Sequence, residues 1–445
     1  MDIHTWIENQ WGQARLGDTR RNSRAMKLAE DLLNKPSASF PEQCSSWGSL
    51  KAAYRFFNEE DVSFEALQQP HRSQVIEQAR RPGVTLFIQD GSEIDYTSHN
   101  VELGPIGNHR GHGFCLHTTL AVHLEEDSKN ILGIAHQILW ERPQGKDKET
   151  RTQRRARSNE ADVWGNSVKA IGVPADKSLW INIGDRGADI LEFLAICSSN
   201  NHDAVIRKIQ NRKVLAAGRE GKALELVRQQ LSKGTFELTR RGRDGNAAIT
   251  HQLHLCWIEL EIQPPKYMGQ NKKGLSGTYI RVWEEKEEGL EWILFSSLPI
   301  ENFEQAHEKI KWYSMRWMIE EYHKCLKTGC SVENRNFQTG RALQAVIGMF
   351  GIIAAKLLEL KYIIKKEGIK LAKNIVPDEL VGIISRRYKL EITKITLKDF
   401  WRSVAKLGGF LGRKSDGEPG WQTLWKGWVK LLTMQEALSD FQKCG

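Results

Sequence analysis

VTLFIQD, Val84 to Asp90, is a run of β-branched and apolar residues that ends on a carboxylate. Its length and composition fit a buried strand with one polar end. SLWINIGD, Ser178 to Asp185, repeats that pattern 95 residues later (185 − 90). Between the two, FCLHTTLAVHLE and ILGIAHQILWE alternate like two further strands, and EADVWGNSVKAIG has helical period. GADILEFLAICSSN follows the second acid as another helix. The order is strand, strand, strand, helix, strand, helix, an α/β core with acids at the ends of its first and fourth strands.

Outward from that core the pattern changes on both sides. Residues 1–75 read as helices, opened by Asp18 or Thr19, by Ser45 or Ser46, and by Asp61 and Ser63. Residues 142–160, RPQGKDKETRTQRRARSNE, read as a long mobile loop. From about 210 to 298 short alternating runs such as KGTFELTRRG, TYIRVWEEK and LEWILFSS indicate a mainly β insertion. Residues 331–445 are mostly helical, and LGGFLGRKSDGEPGWQTLW interrupts them as a Gly/Pro-punctuated loop. The longest apolar run, Ala342–Leu360, contains Gln344 and Lys356 and reads as a buried helix, not a membrane span.

A chain of 445 residues is long enough for two to four domains. Its 40% hydrophobic and 27% charged content are those of a globular protein. The N-terminus has no signal-peptide apolar core, and seven cysteines without a CxxC pair read as reduced thiols in a cytoplasm. Cys325 and Cys330 have no further ligands nearby, so a zinc site is not expected. Net charge is +9, and basic clusters at Asp18–Arg24, Arg151–Arg157 and Arg240–Arg243 favour a polyanionic partner. Fifteen tryptophans, many beside basic residues, fit a surface that tracks phosphates and stacks on bases, although most of them belong to the core.

YSMRWMIEEYHKCLKTG, Tyr313 to Gly329, reads as one helix. At about 100° per residue, Arg316, Glu320 and Lys327 fall within roughly 60° of Tyr313 on its surface. A solvated charged face is usually wider and pairs opposite charges at i,i+4, so this narrow stripe amid bulky apolar residues is aimed at something. Asp90, Asp185 and Glu320 around one gap would hold two Mg²⁺ ions about 4 Å apart, with Mn²⁺ as a substitute, and act on a phosphodiester. Magnesium suits a few carboxylates plus water and phosphate oxygens. Spacing alone leaves rivals open: Asp95, Asp189 and Glu321 lie close to the three, and a strand-end aspartate also serves as a turn former or helix cap.

The order of elements resembles the ribonuclease H-like fold of polynucleotidyl transferases. Tyr313-x2-Arg316-x3-Glu320-x6-Lys327 is similar to the Tyr-Arg-Glu-Lys signature of bacterial cut-and-paste transposases of the insertion-sequence-four family, and the chain looks like the transposon-five type. DRGADI resembles that group's second-aspartate motif and LFIQD its first; LGDTRRNSR and AAYRFFNEEDVS resemble its end-binding domain.

The resemblance implies Asp90, Asp185 and Glu320 as metal ligands, with Tyr313, Arg316 and Lys327 on phosphates beside the cleaved bond. It implies a base-stacking role for Trp292, DNA contact near the active site for Arg207, and contact with the element ends for Arg20, Arg21 and Arg24. The organisation it implies is a helical DNA-binding domain (1–75), a ribonuclease H-like catalytic domain (76–330) with the β insertion, and a helical dimerisation domain (331–445). The expected reaction is Mg²⁺-dependent nicking at each element end, hairpin formation, hairpin opening and strand transfer into target DNA. The expected partners are double-stranded DNA and a second copy of the chain, assembled on DNA in a bacterial cytoplasm at the nucleoid, with no membrane. The alternative is a catalytically silent DNA-binding regulator derived from a transposase, which would be expected to have lost an acid of the triad or part of its N-terminus.

Overall fold

The computed structural model of the protein describes residues 3–107, 110–125, 128–143, 160–240, 249–264, 274–367, 369–374, 376–413 and 416–443. The basic cluster Arg151–Arg157, most of the long loop around it, and nearly all of Arg240–Arg243 lie outside the described residues.

Five helices open the chain: α1 (Ile3–Trp11), α2 (Thr19–Asn34), α3 (Phe40–Gln43), α4 (Trp47–Phe57) and α5 (Phe64–Ala79). Of the alternative caps, Asp18, Ser46 and Ser63 accept the N-terminal amides of α2, α4 and α5. Each such bond is worth about 1 kcal/mol. Gly17 turns the chain into α2 at φ +80°, and a Cβ there would lie 2.3 Å from Asp61 Oδ2. Only glycine lets the backbone pass so close to that ion-paired carboxylate.

A sheet follows, built from β1 (Gly83–Asp95), β2 (Pro105–Ile106), β3 (Gly111–Glu125), β4 (Ser128–Trp140), β5 (Ser178–Gly184) and β6 (Asp203–Arg207), with α6 (Asp162–Ile171) and α7 (Leu191–Ser199) between its strands. β4, β3 and β1 pair antiparallel, then β1, β5 and β6 parallel. This spatial order, β4-β3-β1-β5-β6, is the ribonuclease H-like arrangement expected from the order of elements. One expectation needs correction: Asp90 does not end its strand. β1 continues to Asp95 because its antiparallel ladder with β3 runs on, while the parallel ladder with β5 stops at Ile88 and Ile183.

The β-rich stretch contains β7 (Lys213–Ala216), β8 (Arg219–Lys222), α8 (Ala223–Arg228), β9 (Gly234–Arg240), β10 (Ile249–Ile262), β11 (Leu275–Trp283) and β12 (Glu291–Ser296). It does not stand apart as a separate layer. β12 pairs with β6, and β11 and β10 follow, so the insertion extends the same sheet sideways.

The stretch read as one helix is three pieces: α9 (Phe303–Ser314), α10 (Trp317–Lys324) and a π turn at Cys325–Gly329. At the junction the amides of Met315, Arg316, Met318 and Ile319 bond three residues back instead of four, which tightens the chain there. At the far end Cys330 N–H reaches Cys325 O at 2.8 Å, a five-residue step that widens the last turn.

α11 (Gly340–Glu367) crosses the middle of the molecule. Its Gly340–Glu359 portion is long and apolar enough to cross a membrane, but 89% of it is buried inside the fold. It joins α1, α2, α4 and α5, one face of the sheet, and α10 in one continuous core. The last helices, α12 (Asp378–Tyr388), α13 (Leu397–Leu407) and α14 (Trp421–Lys443), gather a separate core around Phe400, Trp401 and Leu431. α14 begins at Trp421, inside the stretch read as loop; the segment WQTLW belongs to the helix because Leu424 packs in that C-terminal core and Trp425 in the main one.

Candidate active site

Strand register brings the distant acids together. Every β1–β5 pair, from Gly83 opposite Ser178 to Ile88 opposite Ile183, carries an offset of 95, and that offset continued two residues past the last pair brings Asp90 level with Asp185, close enough for Asp185 to raise the Asp90 pKa. One strand further, Gly184 pairs with Ile206, so Asp185 stands beside Arg207; Arg207 in turn pairs with Leu294 of β12. Residues abreast on neighbouring strands share a face. Asp90, Asp185 and Arg207 therefore form one row, on the face that α9 and α10 cover. Trp292, two residues from Leu294, stands on the same face just past the row, half-buried against the main core.

Arg316 ties the helix to this row. Its Nη1 donates to Asp90 Oδ2 at 3.0 Å, and its Nη2 donates to Glu320 Oε1. One guanidinium thus spans two of the three acids, one on the sheet and one on the helix. Burial, with Asp185 and Glu320 nearby, raises the Asp90 pKa to about 6 in spite of Arg316. The centre holds more negative charge than its own cation balances. Three carboxylates with that imbalance suit a hard divalent ion, yet among the described residues no three His, Cys, Asp or Glu side chains are gathered as a ready-made cage.

The other members of the stripe take separate partners. Tyr313 lies near Arg316, Arg207 and Asp185; its burial raises the phenol pKa. Lys327 Nζ reaches Glu333 Oε1 at 3.2 Å, and the same carboxylate oxygen accepts the Asp95 amide at 3.0 Å. The stripe is a path along the sheet face, from β6 past the acid row toward the end of β1, and it depends on the break at Met315 and the π turn.

The rival acids are committed elsewhere. Asp189 has no exposed side-chain surface; it pairs with Lys208 and Arg212 and accepts the amides of Ile209 and Gln210. Burial alone would raise its pKa, but Lys208 and those amides hold it below the usual carboxylate range. Asp95 accepts from the backbone and hydroxyl of Thr97, and Glu321 accepts from Tyr362 Oη at 2.9 Å.

Two supporting networks went unread in the sequence. Behind the acids, His117 Nε2 meets Gln89 Oε1 at 2.9 Å, and Gln89 Nε2 donates to Asn182 Oδ1 at 2.8 Å. Asn182 Nδ2 then meets His202 Nδ1 at 3.0 Å, and His202 Nε2 reaches Gly172 O at 2.8 Å. Every side chain in this chain is buried, and it crosses from β3 through β1 to β5, fixing the strands that carry Asp90 and Asp185. Burial lowers the pKa of His117 to about 3 and of His202 to about 4, so both are neutral at physiological pH. On the helix side, Thr118, abreast of Asp90, meets His323 of α10, and Gln137 joins Thr118 to Tyr322. A glutamine and an asparagine inside otherwise apolar strands were the available signal.

In the N-terminal helices Arg20 is exposed and bonded to the capping Asp18. Arg21 is held between Glu59 and Asp61, and Arg24 is half-buried. Of these three, Arg20 projects furthest into solvent.

Comparison with known families matches residues 3–62 to a transposase DNA-binding domain and residues 357–440 to the Transposase Tn5 dimerisation domain. Among solved structures, a piggyBac transposase synaptic complex with hairpin DNA matches at 12% identity over 78% of this chain and 67% of that one. Its TM-score of 0.37 is too low for that likeness to carry an argument.

Proposed function

We propose that the chain, whose residues 3–62 and 357–440 match transposase DNA-binding and Tn5 dimerisation domains, is a DNA transposase of the Tn5 type in the IS4 family and excises its element at a carboxylate centre of Asp90, Asp185 and Glu320. The reading is supported by the β1–β5 offset of 95, which equals the spacing of Asp90 and Asp185, and by Arg316, which bridges Asp90 to Glu320. These three side chains would hold Mg²⁺, which when bound activates an attacking oxygen and offsets charge on the leaving one.

The residues around the acids suit the rest of the reaction. Arg316 and Lys327 carry charge toward a phosphodiester, and the Tyr313 hydroxyl can donate to a phosphate oxygen. Water attacks the phosphorus at the element end, and the P–O3′ bond breaks to release a 3′ hydroxyl. That hydroxyl then attacks the opposite strand, displacing flanking DNA and closing a hairpin. Hydrolysis reopens the hairpin, and the 3′ end attacks target DNA. Trp292 offers a ring face to a base unstacked by the hairpin's tight reversal. Arg20 and its neighbours track the element end, and α12–α14 pair two copies assembled on DNA.

The test uses end-labelled duplexes carrying the sequences that flank the gene, with Mg²⁺ withheld and then supplied. Asp90→Ala, Asp185→Ala and Glu320→Ala should each abolish nicking while retaining DNA binding, since affinity comes from phosphate contacts elsewhere. Nicking at the wild-type rate by any one of them removes that residue from the centre.

A further inference from the structure

Arg316 sits on the carboxylates that the proposed reaction needs for its metal. Its two terminal nitrogens donate to different acids, Asp90 on β1 and Glu320 on α10. Only 16% of the Arg316 side-chain surface is exposed, and 20% of that of Asp90, so the pair is sheltered from solvent screening. A guanidinium is planar and permanently charged, with donors in a fixed fork, so it can bridge two carboxylates as a compact ion would. It cannot bring them to one point, and no three acids are so gathered among the described residues. The tightened junction at Met315 and Arg316 sets this geometry: Arg316 N–H bonds to Tyr313 O at 3.0 Å, and the side chain leaves the start of α10 toward the row.

We propose that in the DNA-free protein Arg316 is the resident cation of the carboxylate centre, so that a divalent metal reaches Asp90 and Glu320 only by displacing its guanidinium. The inference rests on the reading of these acids as metal ligands and adds an order to it. A phosphate oxygen is the natural alternative acceptor for a freed guanidinium. Arrival of DNA therefore opens the acids to metal, and the centre stays closed while no substrate is bound. Arg316 thereby restrains hydrolysis away from DNA ends, beyond any contact it makes with the phosphodiester.

The test is Mn²⁺ binding to the full-length protein without DNA, read by the electron paramagnetic resonance of the free ion. Wild type, Arg316→Gln and Arg316→Lys are compared, each with and without Asp90→Asn, after melting curves establish folding. Lysine retains one charge but cannot span both acids, so it serves where the neutral variant does not fold. Arg316→Gln should bind Mn²⁺ at least about tenfold more tightly than wild type, with Arg316→Lys between them. Asp90→Asn should remove the gain. If wild type and both Arg316 variants bind equally, and Asp90→Asn weakens all of them, the metal site stands and the counter-ion role is overturned. Weaker binding by the Arg316 variants overturns it too, by making Arg316 an organiser of the site. Binding indifferent to Asp90 in every protein defeats the metal assignment itself.

Discussion

Asp90→Asn should make the metal-free protein more stable at neutral pH, and the reason lies in the crowding of the acid row. Folding lifts the Asp90 pKa from the ordinary 3.8 to about 6, first through burial and then through Asp185. At about 1.4 kcal/mol per pH unit, keeping this carboxylate ionised in the folded state costs about 3 kcal/mol at pH 8. The folded state binds the proton more tightly than the unfolded one. Stability from this group is therefore greatest below about pH 4, falls through pH 6, and is flat above. Asparagine is neutral throughout and its amide oxygen can still accept from Arg316. Allowing about 1 kcal/mol for the weaker bond, the net gain is about 2 kcal/mol, or several °C in apparent midpoint. Parallel melts of both proteins in chelator-containing buffers between pH 5 and 8 would measure it. The gain should be largest at pH 8 and shrink toward pH 5, and millimolar Mg²⁺ should erase or reverse it by stabilising only wild type. A gain independent of pH, or a lower midpoint for Asp90→Asn at pH 8, would refute the claim that the row is held together against its own repulsion.

Trp292→Ala should retain first-strand nicking and lose hairpin formation by about 10- to 100-fold, because a stacking platform is worth roughly 1–3 kcal/mol; equal loss of both products on a denaturing gel, with a lower midpoint, makes this tryptophan core alone. Asp189→Ala leaves Lys208 and Arg212 without their carboxylate in the interior and should destabilise by about 3–5 kcal/mol, seen as a lower melting midpoint or insoluble protein. An unchanged midpoint would contradict the structural role given to that acid. Arg335→Met removes a buried guanidinium that bonds Pro36 O, Ala38 O and Cys330 O, so the link between α2 and the end of the π turn should loosen by about 2–4 kcal/mol. Faster proteolysis near residues 35–44 would report that loosening, and wild-type resistance would count against it.

The strands that carry the acids were legible because burial on both faces demands continuous apolar runs, and VTLFIQD and SLWINIGD are such runs. The helix caps were legible too, since Asp18, Ser46 and Ser63 stand immediately before helical periods. What failed was the assumption that a residue's direction follows from a uniform 100° step. The single helix from Tyr313 to Gly329 breaks at Met315 and widens at Cys325, so Arg316 and Glu320 pair with each other while Lys327 meets Glu333 instead. No residue at the Met315 junction is a helix breaker. The three-residue bonds at the junction come from fitting α9 and α10 to a twisted sheet, and that is a tertiary demand. Likewise Asp90 was read as a strand end because its run of apolar residues stops, whereas the strand itself continues wherever β3 supplies a ladder. Register was the deepest omission: 95 residues separate Asp90 from Asp185, and 95 is also the offset of the β1–β5 pairing. Spacing in a sequence cannot announce that equality, because the length of the intervening segment is set by β2, β3, β4 and α6 and by loops under little geometric constraint. The buried chain from His117 to His202 helps to fix it, and the polar residues Gln89 and Asn182, placed where apolar ones would otherwise serve, are its only trace in the sequence.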